Sequence, residues 1–398
     1  NDDPLRPISK FSLDQIAAHG DETPIHWVHR SDRYAEKLAT PDVSVADLIG
    51  DVDPIKAANL KLSFADERVI HYGIIPKSNR GIFVINELPD LQARIQVALF
   101  NILEEGDVQI RGFKLRLPLD ILFVFTANPE DYTALKDRIE SQILTHYPKD
   151  MDTALAITEQ EASVEKEQKA VVTVSDLAKR LIEQVAFEAR ASEFVDKKSG
   201  VSARLTISAF ENAISAAERR AIVNNEKHTQ VWISDLVGII PSITGKIELV
   251  YEGEQEGPYQ VAMNLLDKSI RSQFSQYFPN PDQLKKRKTT ELKDENPYRS
   301  IIAWFDKGNH VNLFFNIKDE EKIINLYRVD GLQALVKKFF KGANDKEAAL
   351  LMEFVLHGLA AYSFISKKVI EGKIEFKDLM GSMLNLGRNY EEEFDEEA

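Results

Sequence analysis

The chain has no cysteine among its 398 residues. Disulfides, thiolate metal sites and a cysteine nucleophile are therefore excluded. No apolar run approaches the ~18 residues needed to span a bilayer. No secretory signal is read at Asn1, which need not be the natural start, and a cytoplasmic location is expected. A formal net charge of −14 argues against a general binder of nucleic-acid phosphates and leaves only a local basic patch for such a role. There is no G-x-S-x-G elbow for a serine hydrolase. There is also no G-x-x-x-x-G-K-[ST] phosphate loop; Gly245-Lys246 is the nearest decoy, but Ile247 follows it and no glycine stands at the required offset. What remains is ordinary globular composition, 43% apolar and 29% charged, long enough for two or three domains.

The most informative stretch is GIFVINELPD, residues 81–90. Four apolar residues run into Asn86 and Glu87, and a short uninterrupted apolar run bounded by turn residues reads as a buried parallel strand. Polar groups at the C-terminal tip of such a strand sit where open α/β sheets bind ligands. A strand ending in an acid that activates water would have this form; a core strand followed by a helix cap has it too. Leu91, Ile95, Leu99 and Ile102 then share one helical face. Residues 106–118 alternate around Arg111-Gly112 as a protruding hairpin. A second apolar strand, ILFVFT, ends in Ala127-Asn128-Pro129. Two such strands separated by a helix outline a nucleotide-hydrolysing core.

Five ordered motifs carry a family resemblance: DLIGDVDP (47–54), SNRGIFVINELPDL (78–91), the hairpin, FTANPED (125–131) and LKDRI (135–139). Across residues 39–138 the chain resembles the AAA+ ATPases of the magnesium chelatase and MoxR group. The resemblance implies an α/β fold: a parallel-sheet core, here without its P-loop portion, a helical lid and a mostly α-helical C-terminal region. It implies ATP and Mg²⁺ as cofactors. Glu87 becomes the residue that orients and deprotonates the attacking water. Asn86 stands where the group more often has aspartate; it can reach Mg²⁺ only through a metal-bound water and adds no negative charge. Asn128 resembles the sensor that contacts the γ-phosphate and the lytic water. Arg138 resembles the arginine finger supplied to a neighbouring subunit, or is a surface arginine beside Asp137 and Glu140. Arg204, in residues 199–208, resembles a second sensor at the head of a lid helix, or is an ordinary helix-start arginine. In the group the P-loop precedes the Asp-Asp-Pro at residues 2–4, so the chain is expected to begin downstream of it; a degenerate member is the alternative.

Along the chain, residues 1–35 read as an irregular segment of the core with a short helix over 11–17 capped by Ser12. His26 and His29 have an i,i+3 spacing but no acid beside them, and an ordinary surface pair is the better reading. Residues 36–150 are the α/β core, with a helix starting near Leu60 and an insert, HYGIIPKSNRG, that the resemblance directs into a ring pore. Residues 151–172 read as a linker with a solvated helical face. Residues 173–250 form a helical lid, with Leu177, Leu181, Ile182, Val185 and Ala189 on one stripe, a helix over 205–223 and a third over 231–240. Residues 251–398 are a helical C-terminal domain, with helices over 261–278, 321–340 and 346–371, a lysine-rich loop over 285–296 and an acidic tail. The expected function is an ATP-hydrolysing ring motor, hexameric by resemblance, that remodels a protein partner such as one with a von Willebrand A-type domain. A metal-chelatase ATPase subunit and a nucleotide-blind scaffold are the alternatives.

Overall fold

The computed structural model describes residues 2–63, 66–109, 116–127, 139, 141–286 and 296–379. The chain divides into two compact units, Asn1–Thr145 and His146–Ala398.

The first unit is mixed α/β. It contains α1 (Lys10–His19), β1 (Tyr34–Leu38), α2 (Val45–Leu48), β2 (Gly50–Val52), α3 (Pro54–Leu60), β3 (Ile70–Tyr72), α4 (Ile74–Lys77), β4 (Ile82–Asn86), α5 (Ala93–Glu105), β5 (Asp107–Gln109), β6 (Arg116–Pro118) and β7 (Leu122–Phe125). Strands β1, β4 and β7 form a parallel sheet in that order, with Tyr34, Ile82 and Leu122 in one row and Leu38 beside Asn86. Period-2 alternation sends Phe83 and Ile85 into the core, both wholly buried, where Leu91, Ile95, Leu99 and Ile102 cover them. The opposite face is bare: Tyr34, Leu38, Ile82, Leu122 and Val124 are all exposed.

Several motif residues have local structural work. Ser44 and Asp47 make a reciprocal capping box on α2, and Asp53 caps α3 by accepting from the Lys56 amide at 2.9 Å, with Pro54 at the first helical position. Asp53 and Pro54 therefore end one motif because a helix begins there. In the SNRG turn, buried Asn79 accepts from the Asp120 amide at 2.9 Å, and the Arg80 amide donates to the Asp120 carbonyl at 2.6 Å. These bonds align the start of β4 with that of β7.

Three sequence expectations need correction, and the expected hairpin is present in its strands. The first helix spans 10–19 and is capped by Ser9, which accepts from the Ser12 amide; Ser12 is inside the helix. The helix expected near Leu60 ends there, and residues 67–72 are a 3-10 turn followed by β3. Residues 71–81 do not protrude as an insert, because Ile75, Ser78 and Asn79 are buried. The hairpin pairs as β5 with β6, Asp107 opposite Pro118; its tip, including Arg111-Gly112, lies outside the described residues.

The second unit is mostly helical: α6 (Met151–Glu161), α7 (Lys166–Val171), β8 (Val172–Thr173), α8 (Asp176–Ala191), α9 (Arg204–Asn224), β9 (Thr229–Gln230), α10 (Ile240–Thr244), α11 (Tyr251–Glu256), α12 (Pro258–Tyr277), α13 (Pro281–Lys286), α14 (Arg299–Asp306), β10 (Val311–Phe314), α15 (Asp319–Tyr327), α16 (Leu332–Phe339), α17 (Asp345–Ala361), β11 (Ser366–Ile370) and β12 (Lys373–Lys377). The stripe on α8 is buried as its spacing predicts, and Ser175 caps the helix. Helix α12 packs on α8 and α17. Gly358 lets α17 approach closely, since a Cβ there would meet the ring of Phe274.

The stretch read as a linker with a solvated helical face is helical as expected, but Ala154 and Thr158 on it are buried. One continuous core runs from Val172 to Phe376 and passes straight through the boundary expected near residue 250. The helix expected over 231–240 is a 3-10 segment followed by α10. The one over 321–340 is broken by Gly331 at φ 80° into α15 and α16. The one over 346–371 stops at Ala361 and gives way to an antiparallel sheet, β10-β12-β11, which the sequence reading missed. Most of the lysine-rich loop, and the acidic tail, lie outside the described residues. Among the described residues no helix is long and apolar enough to cross a membrane.

Candidate functional site

The site lies at the C-terminal ends of β1, β4 and β7. Asn86 closes β4, and its carbonyl accepts from the Ala39 amide at 2.8 Å, which fixes the strand end beside β1. Its Nδ2 donates to Glu36 Oε1 at 2.5 Å. A carboxylate only accepts, so this bond sets the orientation of the Asn86 amide. On the other side the Thr126 hydroxyl, just past β7, donates to Asn86 Oδ1 at 3.3 Å and accepts from the Glu87 amide at 3.0 Å. One amide and one hydroxyl thus tie three parallel strands together at their ligand-facing end.

Glu87 follows in a left-handed conformation, φ 53° and ψ 48°, uncommon for a residue with a Cβ and of a kind that clusters at functional sites. The Leu88 amide then donates to the Thr126 carbonyl at 3.0 Å. The turn is held on both sides, and the exposed Glu87 carboxylate has no hydrogen-bond partner among the described residues. Tyr34 OH donates to Glu36 Oε2 at 2.8 Å, and this bond raises the tyrosine pKa.

The sequence reading placed Asn86 and Glu87 here and overlooked Glu36 and Thr126. Thr126 was legible as the polar end of ILFVFT; Glu36 is one of two charged residues in YAEKL, and only the pairing of β1 with β4 brings it to Asn86. Asn128 and Arg138 lie outside the described residues. Arg204 belongs to the second unit, exposed at the first position of α9, with its amide donating to Ser202 Oγ at 3.2 Å. His26 and His29 are exposed, and His29 Nδ1 lies 2.7 Å from Ser31 Oγ. No group of three potential ligands that could hold a metal exists among the described residues.

A cation held by a full protein cage does not fit this site, but Mg²⁺ bound chiefly through substrate phosphates and one or two carboxylates does. Glu36 and Glu87 supply the negative charge that Asn86 lacks, and Asn86 Oδ1 retains a lone pair beyond the one Thr126 uses.

No family model matches the chain, and no curated protein matches it. Among solved structures it is similar to a presumed ATPase from Cytophaga hutchinsonii, at 22% identity over 59% of this chain and 76% of that one, with a TM-score of 0.23. It is also similar to a cryo-EM-based model of the complex between subunits BchI and BchD of magnesium chelatase, at 17% identity over 56% of this chain and 72% of that one, with a TM-score of 0.27. TM-scores this low support no inference about this chain.

Proposed function

We propose that the first unit is the water-activating part of an AAA+ ATPase site of the magnesium chelatase and MoxR type. The observation that carries this reading is the bonded set Glu36, Asn86 and Thr126 at three adjacent parallel strand tips, with the Glu87 carboxylate open beside it. Phosphoryl transfer asks a protein for positioning and charge rather than covalent chemistry. Bound Mg²⁺ would neutralise charge on the phosphates. Glu87 would orient the attacking water and accept its proton. Asn86 and Thr126 hold the turn that aims Glu87, and Asn86 would help to hold Mg²⁺ through a water. Asn128, two residues past Thr126, would contact the γ-phosphate, and Arg204 keeps the second-sensor role that the resemblance implies for it. Arg138 would complete the site of the next subunit in a hexameric ring. The work of hydrolysis would go into remodelling a protein partner, of which a von Willebrand A-type protein is the expected kind.

The test uses the natural full-length protein. Glu87→Gln should leave Mg-ATP bound while turnover falls by orders of magnitude. Arg138→Ala should bind ATP yet hydrolyse it about 10³-fold more slowly, and mixing the two variants should restore activity, since intact Glu87 and Arg138 then meet across an interface. Hydrolysis unchanged in Glu87→Gln removes the proposal.

A second reading is favoured by the engagement of both polar atoms of Asn86 within the protein: a nucleotide-blind scaffold that keeps the sheet and its strand-end network. Full-length protein that binds no Mg-ATP in calorimetry selects it.

A further inference from the structure

Helix α1 buries none of its residues, although it carries Phe11, Leu13 and Ile16. Ten residues are too few for a stable isolated helix, and this one is held through its N-terminal loop. Asp2 accepts from the amides of Ile8 and Ser9 at 2.9 Å each, and Asp3 pairs with Arg80 at 2.9 Å. The helix therefore stands off the unit. Between it and β3 and α4 lies a cavity of about 480 Å³. Protein interiors are close-packed, and this volume is in the range of small-molecule sites.

The lining has a definite chemistry. Ile70, Tyr72 and Pro76 give it an apolar wall, and Phe11, 73% exposed, stands opposite on the helix. In a chain of net charge −14, the described lining holds four cations, Lys10, Lys56, Arg68 and Lys77, and two acids, Asp2 and Asp14. The Asp2 charge is already met by the loop amides, and Arg68 forks onto Asp66 at 2.9 and 2.7 Å. Lys56 and Lys77 have no ion-pair partner among the described residues. Two uncommitted ammonium groups beside an apolar wall and an open aromatic face suit one kind of ligand, a small organic anion with a flat apolar body.

We infer that this cavity is a second ligand site, distinct from the strand-tip site, for a small aromatic anion whose charge meets Lys56 and Lys77 and whose ring lies against Phe11. A phosphate and a carboxylate share that chemistry, and competition separates them.

The probe is 8-anilinonaphthalene-1-sulfonate, titrated into the 398-residue chain and followed by fluorescence, with neutral N-phenyl-1-naphthylamine in parallel. Lys56→Glu/Lys77→Glu, both exposed positions, should weaken the sulfonate about tenfold or more and leave the neutral dye unchanged; Phe11→Ala should weaken both. Val124→Asn, on the bare sheet face, should leave the lysine-dependent binding intact. Displacement by AMP assigns a nucleotide, and displacement by 1-naphthoate an aromatic carboxylate. Lys56→Glu/Lys77→Glu should leave Mg-ATP binding by the full-length protein unchanged, which separates this site from the one above. Sulfonate binding indifferent to the double lysine variant, binding lost in Val124→Asn, or displacement by neither competitor overturns the inference.

Discussion

Asn86 Nδ2 and Glu36 Oε1 lie 2.5 Å apart, joined by a hydrogen bond across neighbouring parallel strands. This contact explains why an amide is tolerated at the tip of β4, where the resemblance leads one to expect an acid. The negative charge is present, but it sits on β1.

The contact makes Asn86→Asp a conditional change. Two carboxylates at that distance cannot both ionise comfortably, so the folded state raises the pKa of one of them. A carboxyl raised on folding loses stability as pH climbs above its unfolded value near 4. Glu36 is exposed, so the cost is modest, about 1 kcal/mol. Asn86→Asp should melt lower than wild type at pH 8 and close to it at pH 5. Adding Glu36→Gln should restore the pH 8 value. Equal melting of Asn86→Asp at both pH values would show that Glu36 does not govern position 86.

Glu87 offers a way to separate strain from chemistry. Its φ of 53° costs a residue with a Cβ about 1 kcal/mol relative to glycine. Glu87→Gly should therefore stabilise the first unit by about that amount in urea denaturation. Glu87→Ala keeps the Cβ and should give no such gain, and both variants should lose hydrolysis in the full-length protein. A glycine variant less stable than the alanine one would mean that the left-handed turn is not strained.

Periodicity found the buried strands and long helices because each has one face against a core: Phe83 and Ile85 on β4, and Leu177 through Ala189 on α8, are buried as spaced. It failed where local geometry or tertiary partners decide. Gly331 splits one expected helix. SKKVI and KIEFK, rich in lysine, become strands only because they pair with each other and with β10. At the site, Asn86 and Glu87 were legible as the polar end of an apolar run. Glu36 was not, because its role depends on β1 lying beside β4, although it is 50 residues away in sequence.

The second unit holds a charge cluster that no sequence pattern announces. Arg220, 1% exposed, donates to Asp235 at 3.0 Å and to Asp319 at 2.6 Å, and its Nη2 donates to the Gln230 carbonyl at 2.9 Å. Trp232 Nε1 also donates to Asp319, at 2.8 Å. The cluster joins α9, the segment around β9 and α15. Arg220→Met should cost about 3–5 kcal/mol, because it leaves buried Asp235 without its counter-charge and Asp319 with only the half-exposed Lys346 at 3.5 Å. Arg220→Lys should also be costly, since an ammonium cannot fork onto both. Chemical denaturation of the full chain, read by far-UV circular dichroism, measures this. A loss under 1 kcal/mol for the methionine variant would show that the two aspartates find other partners.

His357 on α17 sets an acid limit on the same unit. The residue is 3% exposed, neither ring nitrogen has a hydrogen-bond partner among the described residues, and its ring meets Phe376 edge-on at 5.0 Å. Burial, followed by the charges of Lys367 and Lys322, holds the imidazole pKa well below 6.5. Glu353, one turn back, is occupied by the amides of Ile233 and Ser234 and lies 3.8 Å from Lys322. Below pH 6.5 the unfolded chain takes up a proton at this histidine that the folded chain refuses. Stability should then fall with decreasing pH by about 1.4 kcal/mol per unit. Glu183, whose pKa burial raises, acts with the opposite sign at pH values above 4.5, so the comparison of variants is the decisive measurement. His357→Leu should remove the histidine slope between pH 6.5 and 5 and add stability at pH 7, because two unpaired polar atoms leave the core. Identical pH slopes for wild type and His357→Leu would mean that water or movement of α17 lets the buried ring take up its proton.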